Sequence, residues 1–160
     1  MTLPITTLTS SWLRSLKKSH RSIGEQFVGL GIFLLLMLSI QFLNTWIGEA
    51  SVRLSWTFFY LSQATAIWIL WRKCSIHALK LECSLFGSQF ILGTLWSTAH
   101  FFWHEMLLAL IFLLLQVIAT FLTAIVFWKK ERLAGQWMLL PLAYEIFITS
   151  MNMAICLLNP

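Results

Sequence analysis

The sequence predicts an all-α integral membrane protein, a bundle of five transmembrane helices. Three observations lead there. The chain is 59% hydrophobic and only 11% charged, far from the composition of a soluble domain. Its apolar runs recur at bilayer length, since a helix of about 20 residues crosses the hydrocarbon core. They fall at 27–47, 54–71, 78–99, 106–128 and 136–158. Finally, the basic residues are split unevenly. With five spans, the N-terminal segment and the second and fourth connections share one side of the membrane. That side receives Arg14, Lys17, Lys18, Arg21, Arg72, Lys73, Lys80, Lys129, Lys130 and Arg132, and the opposite side only Arg53. Positive charge gathers on the cytoplasmic side. The expected topology therefore has the N-terminus inside and the C-terminus outside, in a bacterial inner membrane rather than a mitochondrial outer membrane. The net charge of +5 is explained by that asymmetry, so the expected partner is the lipid bilayer and not nucleic acid.

Residues 1–24 are Ser/Thr-rich and basic, with no acid before Glu25. Trp12, Leu16, Ile23 and Phe27 recur near helical spacing, which suits a basic helix lying on the membrane surface. A mitochondrial presequence shares this composition. Residues 25–160 form the transmembrane domain. The first span carries Gly29 and Gly31 close behind Gly24, small residues that let a second helix approach. A connection of a few residues leads to the second span, where Trp56, Tyr60 and Gln63 share a face. Short connections imply that consecutive helices are antiparallel neighbours.

In the third span polar side chains are sparse. Gln89, Gly93 and Trp96 lie at i, i+4 and i+7 and so stack on one helix face. An amide, a gap and an indole on one face suit a lined cavity. They also suit a Gln bonded to a neighbouring helix and a Trp at the interface. Trp residues gather at span ends on both sides, as two aromatic belts, so most of the nine are anchors. The fifth span carries Glu145 deep within it.

These residues stand in an order that resembles the TspO/MBR family, the tryptophan-rich sensory and mitochondrial translocator proteins. Trp56-Thr57, Tyr60, small residues at mid-span and Trp71-Arg72 resemble the family's second helix. Gln89, Trp96, Ser97, Phe101 and Ala109-Leu110 match its third helix and the start of its fourth. Leu139-Leu140-Pro141 and the pair Asn152 and Asn159 resemble its fifth. The resemblance covers about residues 54–159 and departs in three ways. The family's long first connection is missing, Gly93 stands where the family has Asn, and the interval from Pro141 to Asn152 is one residue short. Tyr144 or Glu145 then occupies the region of a family Trp.

The resemblance implies binding, with transport or sensing, of a flat hydrophobic ligand such as a porphyrin, haem or sterol, and no required cofactor. It places Trp56, Tyr60, Gln89, Trp96, Tyr144, Glu145 and Asn152 around that ligand. Family proteins are often homodimers, and the Gly and Ala content permits one. Two rival readings stand beside it. One is a small structural membrane subunit that has lost the pocket. The other is a membrane enzyme acting on a tetrapyrrole through Glu145 and His100.

No catalytic triad, P-loop or dinucleotide-binding motif appears, so the chain is not expected to be an enzyme. An intramembrane carboxylate is costly unless paired, protonated or facing a polar cavity. Glu82 has Lys80, Lys73 and Arg72 at its membrane face and is expected to sit in an ion pair; Glu145 has no basic residue at its depth. His100 and His104, at i and i+4, have metal-ligand spacing but no third ligand. Cys74, Cys83 and Cys156 fit neither a disulfide framework nor a zinc site.

Overall fold

A computed structural model describes residues 21–47, 53–74 and 79–158, and the side chains of 43–47 and 53–56 lie outside the description. Most of the basic N-terminal segment is therefore outside it as well. Among the described residues there are five α-helices: α1 (Ile23–Ile47), α2 (Arg53–Trp71), α3 (Lys80–Ser97), α4 (Met106–Lys130) and α5 (Arg132–Leu158). A π-helical turn, Thr98–Phe102, extends α3.

The expectation of five membrane spans is corrected. Among the described residues three helices are long and apolar enough to cross a bilayer, within Ile23–Phe42, Met106–Lys130 and Arg132–Leu158. α2 and α3 do not qualify. They carry Ser62, Gln63, Glu82, Gln89 and Ser97, and all five side chains are buried. These five side chains turn into the bundle, where protein bonds Ser62, Gln63, Glu82 and Gln89. A hydropathy average lowered by such residues no longer reads as a span.

Local chemistry sets the ends. Ser22 Oγ accepts from the Glu25 amide at 3.2 Å, and the Ser22 amide donates to Glu25 Oε2 at 2.7 Å. This reciprocal capping box starts α1 at Ile23. α4 and α5 are separated by Glu131 alone, whose extended backbone reverses the chain. At so tight a turn Gly135 lies directly on α4, where a Cβ would stand 2.7 Å from Trp128 Cα. On α1, a Cβ at Gly29 would stand 2.1 Å from the Trp71 ring.

The order of helices around the bundle is α1, α2, α5, α4, α3. α2 packs on α1 and α5, and among the described residues its backbone hardly approaches α3. The expectation that all consecutive helices are neighbours therefore fails at this pair. Side chains span the gap instead. The main core gathers around the inner half of α2, with Phe59, Ala64, Ile67, Ile69 and Leu70 buried against Met37, Phe127 and Met138. A smaller cluster of Trp96, Ala99, Ala109 and Leu113 closes the far end.

The charged groups meet at the other end. Arg21 lies 3.9 Å over the Trp71 ring and donates to the Trp71 carbonyl at 3.2 Å. Trp68 Nε1 donates to the Gln26 carbonyl at 2.8 Å, joining α2 to α1. Lys73 pairs with Glu131, and Lys130 pairs with Glu82 at 2.8 Å. Glu82 is thus in an ion pair as expected, although its partner comes from α4.

Candidate functional site

The buried face of α3 carries Gln89, Gly93 and Trp96, and the next turn adds His100. Against it α4 turns Gln116, Thr120 and Thr123, the polar side chains of an otherwise apolar stretch. They also stand at i, i+4 and i+7, so both helices present one polar stripe each. α5 completes the seam with Glu145 and Asn152. Each of these groups is buried except His100, which is half-buried.

Three levels can be distinguished. At the first, Gln63 Nε2 donates to Gln89 Oε1 at 3.3 Å, and Gln89 Nε2 donates to Thr123 Oγ1 at 2.6 Å. The Thr123 hydroxyl in turn donates to the Ala119 carbonyl at 2.7 Å. The amide chain thus runs from α2 through α3 to α4. Beside it the Tyr60 ring stacks on Phe90, with centroids 6.3 Å apart and planes 18° from parallel. Phe59 continues the aromatic wall to Tyr144 at 5.8 Å.

The second level holds Glu145. Its Oε1 accepts from Gln116 Nε2 at 3.0 Å and from Thr120 Oγ1 at 2.9 Å. Both partners are neutral and both belong to α4. Gly93 faces this group from α3: a Cβ there would lie 3.4 Å from Gln116 Nε2. The room left by the missing α3 side chain is occupied by the Gln116 amide. A polar group is therefore present at this level, but α4 supplies it.

The third level lies at the π-helical turn. Trp96 packs against His100 and Phe101, with centroids at 5.6 and 6.0 Å. Asn152 Nδ2 faces His100 Nδ1 at 3.4 Å, a bond that needs the imidazole nitrogen as acceptor. Burial, and after it the neighbouring His104, hold the His100 pKa below its usual value. The neutral ring is the form that accepts. His104 is exposed at a positive φ of 57°, on the turn into α4. Among the described residues no group of three or more His, Cys, Asp or Glu stands close enough to hold a metal ion.

Within the seam, four buried oxygens meet no hydrogen-bond donor among the described residues: Gln63 Oε1, Gln116 Oε1, Glu145 Oε2 and Asn152 Oδ1. An orphaned buried acceptor is unusual in a folded interior.

Of the residues singled out from the sequence, Gln89, Glu145 and Asn152 lie in the hydrogen-bonded seam, with Trp96 packed at its end. Tyr60 and Tyr144 belong to the aromatic wall. The Trp56 side chain lies outside the described residues. Sequence reasoning missed Gln116, Thr120, Thr123 and Phe90 as members, and noted Gln63 only as a face-mate of Tyr60. The spacing rule that picked out Gln89 and Trp96 would have found the α4 stripe.

Residues 47–158 match the family model described as the TspO/MBR family. The chain belongs to the TspO/MBR family. No curated protein and no solved structure matches it. The match to the TspO/MBR family runs from the end of α1 through α5, so it takes in every element of the seam. In this TspO/MBR protein the amide beside Gly93 comes from Gln116 of α4.

Proposed function

We propose that this TspO/MBR protein binds a flat, largely apolar ligand of the porphyrin, haem or sterol class among α2, α3, α4 and α5. Its role would be transport or sensing rather than catalysis. The observation that carries the reading is the gap between α2 and α3, bridged by side chains alone. A planar ring can take the place of the Tyr60–Phe90 stack with rotamer changes and little backbone movement. The orphaned oxygens of Gln63, Gln116 and Glu145 would then orient the polar edge of the guest. Ligand pockets of this kind combine apolar walls with a few fixed polar groups. The cationic end of the bundle is assigned to the cytoplasmic face of a bacterial inner membrane on the charge rule.

The test is titration of the purified protein with protoporphyrin IX, followed by quenching of its Trp fluorescence. Saturable quenching is expected, weakened about fivefold in Gln89→Ala if one hydrogen bond of roughly 1 kcal/mol is lost. Quenching that never saturates, or that ignores both Gln89→Ala and Tyr60→Ala, would overturn the assignment. A second reading is favoured by the same stack. The Tyr60–Phe90 and Gln63–Gln89 contacts already close the gap, as in a structural subunit whose pocket is filled by its own side chains. That reading predicts no saturable quenching and lower thermal stability in both variants.

A further inference from the structure

On α4 and α5, Phe121, Ile125 and Trp128 face Leu139 and Leu142 across a groove of about 280 Å³, with Lys129 among its lining residues. Phe121, Ile125, Trp128 and Leu139 are all exposed. Both helices are candidate spans, so the groove opens onto the bilayer. Lys129 lies at the charged end of the bundle, and Phe121 lies two helical turns deeper. The groove thus runs about 12 Å along α4 from the membrane interface towards the hydrocarbon. Its walls suit an alkyl chain.

Its charged end suits an anion. The nearby carboxylates are already engaged, Glu82 by Lys130 and Glu131 by Lys73. Lys129 and Arg132 have no carboxylate partner among the described residues, and both are exposed. Lys129 therefore stands at the end of an apolar groove, and Arg132, seven residues before Leu139 and so on a similar face of α5, belongs to the same end of the bundle. We propose that this groove binds one anionic phospholipid, with an acyl chain along α4 and the phosphate against Lys129 and Arg132. Basic pockets between spanning helices are a recurrent way of holding acidic headgroups, and ammonium-to-phosphate hydrogen bonds are among the stronger ones. A zwitterionic headgroup brings its own cation towards the pair, and a sterol hydroxyl leaves both charges unmatched. A second copy across a two-fold axis would bring Lys129 and Arg132 near their own images. The acidic phospholipid is the occupant that uses both features.

The test uses the full chain in bilayer nanodiscs made of equal parts phosphatidylcholine and phosphatidylglycerol, with retained lipids counted by native mass spectrometry. Preferential retention of phosphatidylglycerol is expected. The double variant Lys129→Gln/Arg132→Gln should lower that preference on the order of five-fold for each cation removed. Lys80→Gln, an exposed cation at the same end, should leave it unchanged. Leu139→Trp, which fills the groove without touching charge, should reduce retention of both lipids. Circular dichroism and monodispersity confirm that each variant is folded. Equal retention of the two lipids by the parent protein would overturn the proposal. So would a preference that survives the double variant, an equal loss in Lys80→Gln, or no effect of Leu139→Trp. A dimer that covers Lys129 would overturn it too.

Discussion

Replacing Glu145 by Leu separates what the carboxyl does for the bundle from what its chemistry suggests in isolation. The side chain is 2% exposed, and its Oε1 accepts from Gln116 at 3.0 Å and from Thr120 at 2.9 Å. Leu removes both acceptances and leaves two buried donors on α4. Interhelical hydrogen bonds in membranes average about 0.6 kcal/mol and reach about 1.7. Two of them give a loss of about 1–3 kcal/mol. The reference state adds to this. In separated, inserted helices Glu145 would face lipid at high cost, whereas Leu is at home there. The substitution therefore stabilises the dispersed helices and further weakens the bundle relative to them. Glu145→Gln keeps a carbonyl oxygen for the same donors and should cost under about 1 kcal/mol. The assay is thermal unfolding of purified variants in one detergent, followed by circular dichroism and loss of monodispersity. At roughly 2–4 °C per kcal/mol for a chain of this size, Leu should lower Tm clearly and Gln only slightly. Porphyrin affinity is read in parallel, and Gln should retain it. A Leu variant as stable as the parent would refute the view that this carboxyl joins α5 to α4.

Gly29→Val drives a branched side chain into the Trp71 ring and should destabilise the α1–α2 contact by about 1–3 kcal/mol; Gly31→Val, with open space above it, should not, and equal Tm values would contradict this. His100 binds a proton less readily in the folded protein than in the unfolded chain, because its pKa is depressed by burial and then by His104. Its contribution to stability is complete above the unfolded value of 6.5 and is lost as pH falls towards the lower folded value. Tm should therefore drop on acidification below neutral pH, and the drop should shrink in His100→Asn; an unchanged pH profile in that variant would contradict the assignment. For topology, Lys129→Cys and His104→Cys in a cysteine-free background mark opposite ends of α4. An impermeant maleimide should label Lys129→Cys only after the cytoplasmic face is opened and His104→Cys from outside, and the reverse pattern would invert the orientation.

The sequence by itself determined the class of the protein and its parts. Apolar composition, five helices, one cationic end and family membership were all legible, because they rest on local signals such as hydropathy, 3.6-residue spacing and the order of motif residues. Gln89, Gly93 and Trp96 were picked out as one face, and that face is buried. Only the tertiary structure decided what the face meets. α2 packs on α5 rather than on α3, so the gap at Tyr60 and Phe90 has no counterpart in the order of the chain. Gln116 fills the space over Gly93 and bonds Glu145, a partnership across 29 residues that no window of sequence contains. The span count failed for a related reason. Hydropathy averages a helix around its whole circumference, and only packing shows that Gln63, Glu82 and Gln89 point into protein. Helix formation is local, whereas the choice of neighbours depends on the fit of whole faces, and this is where the candidate site is made.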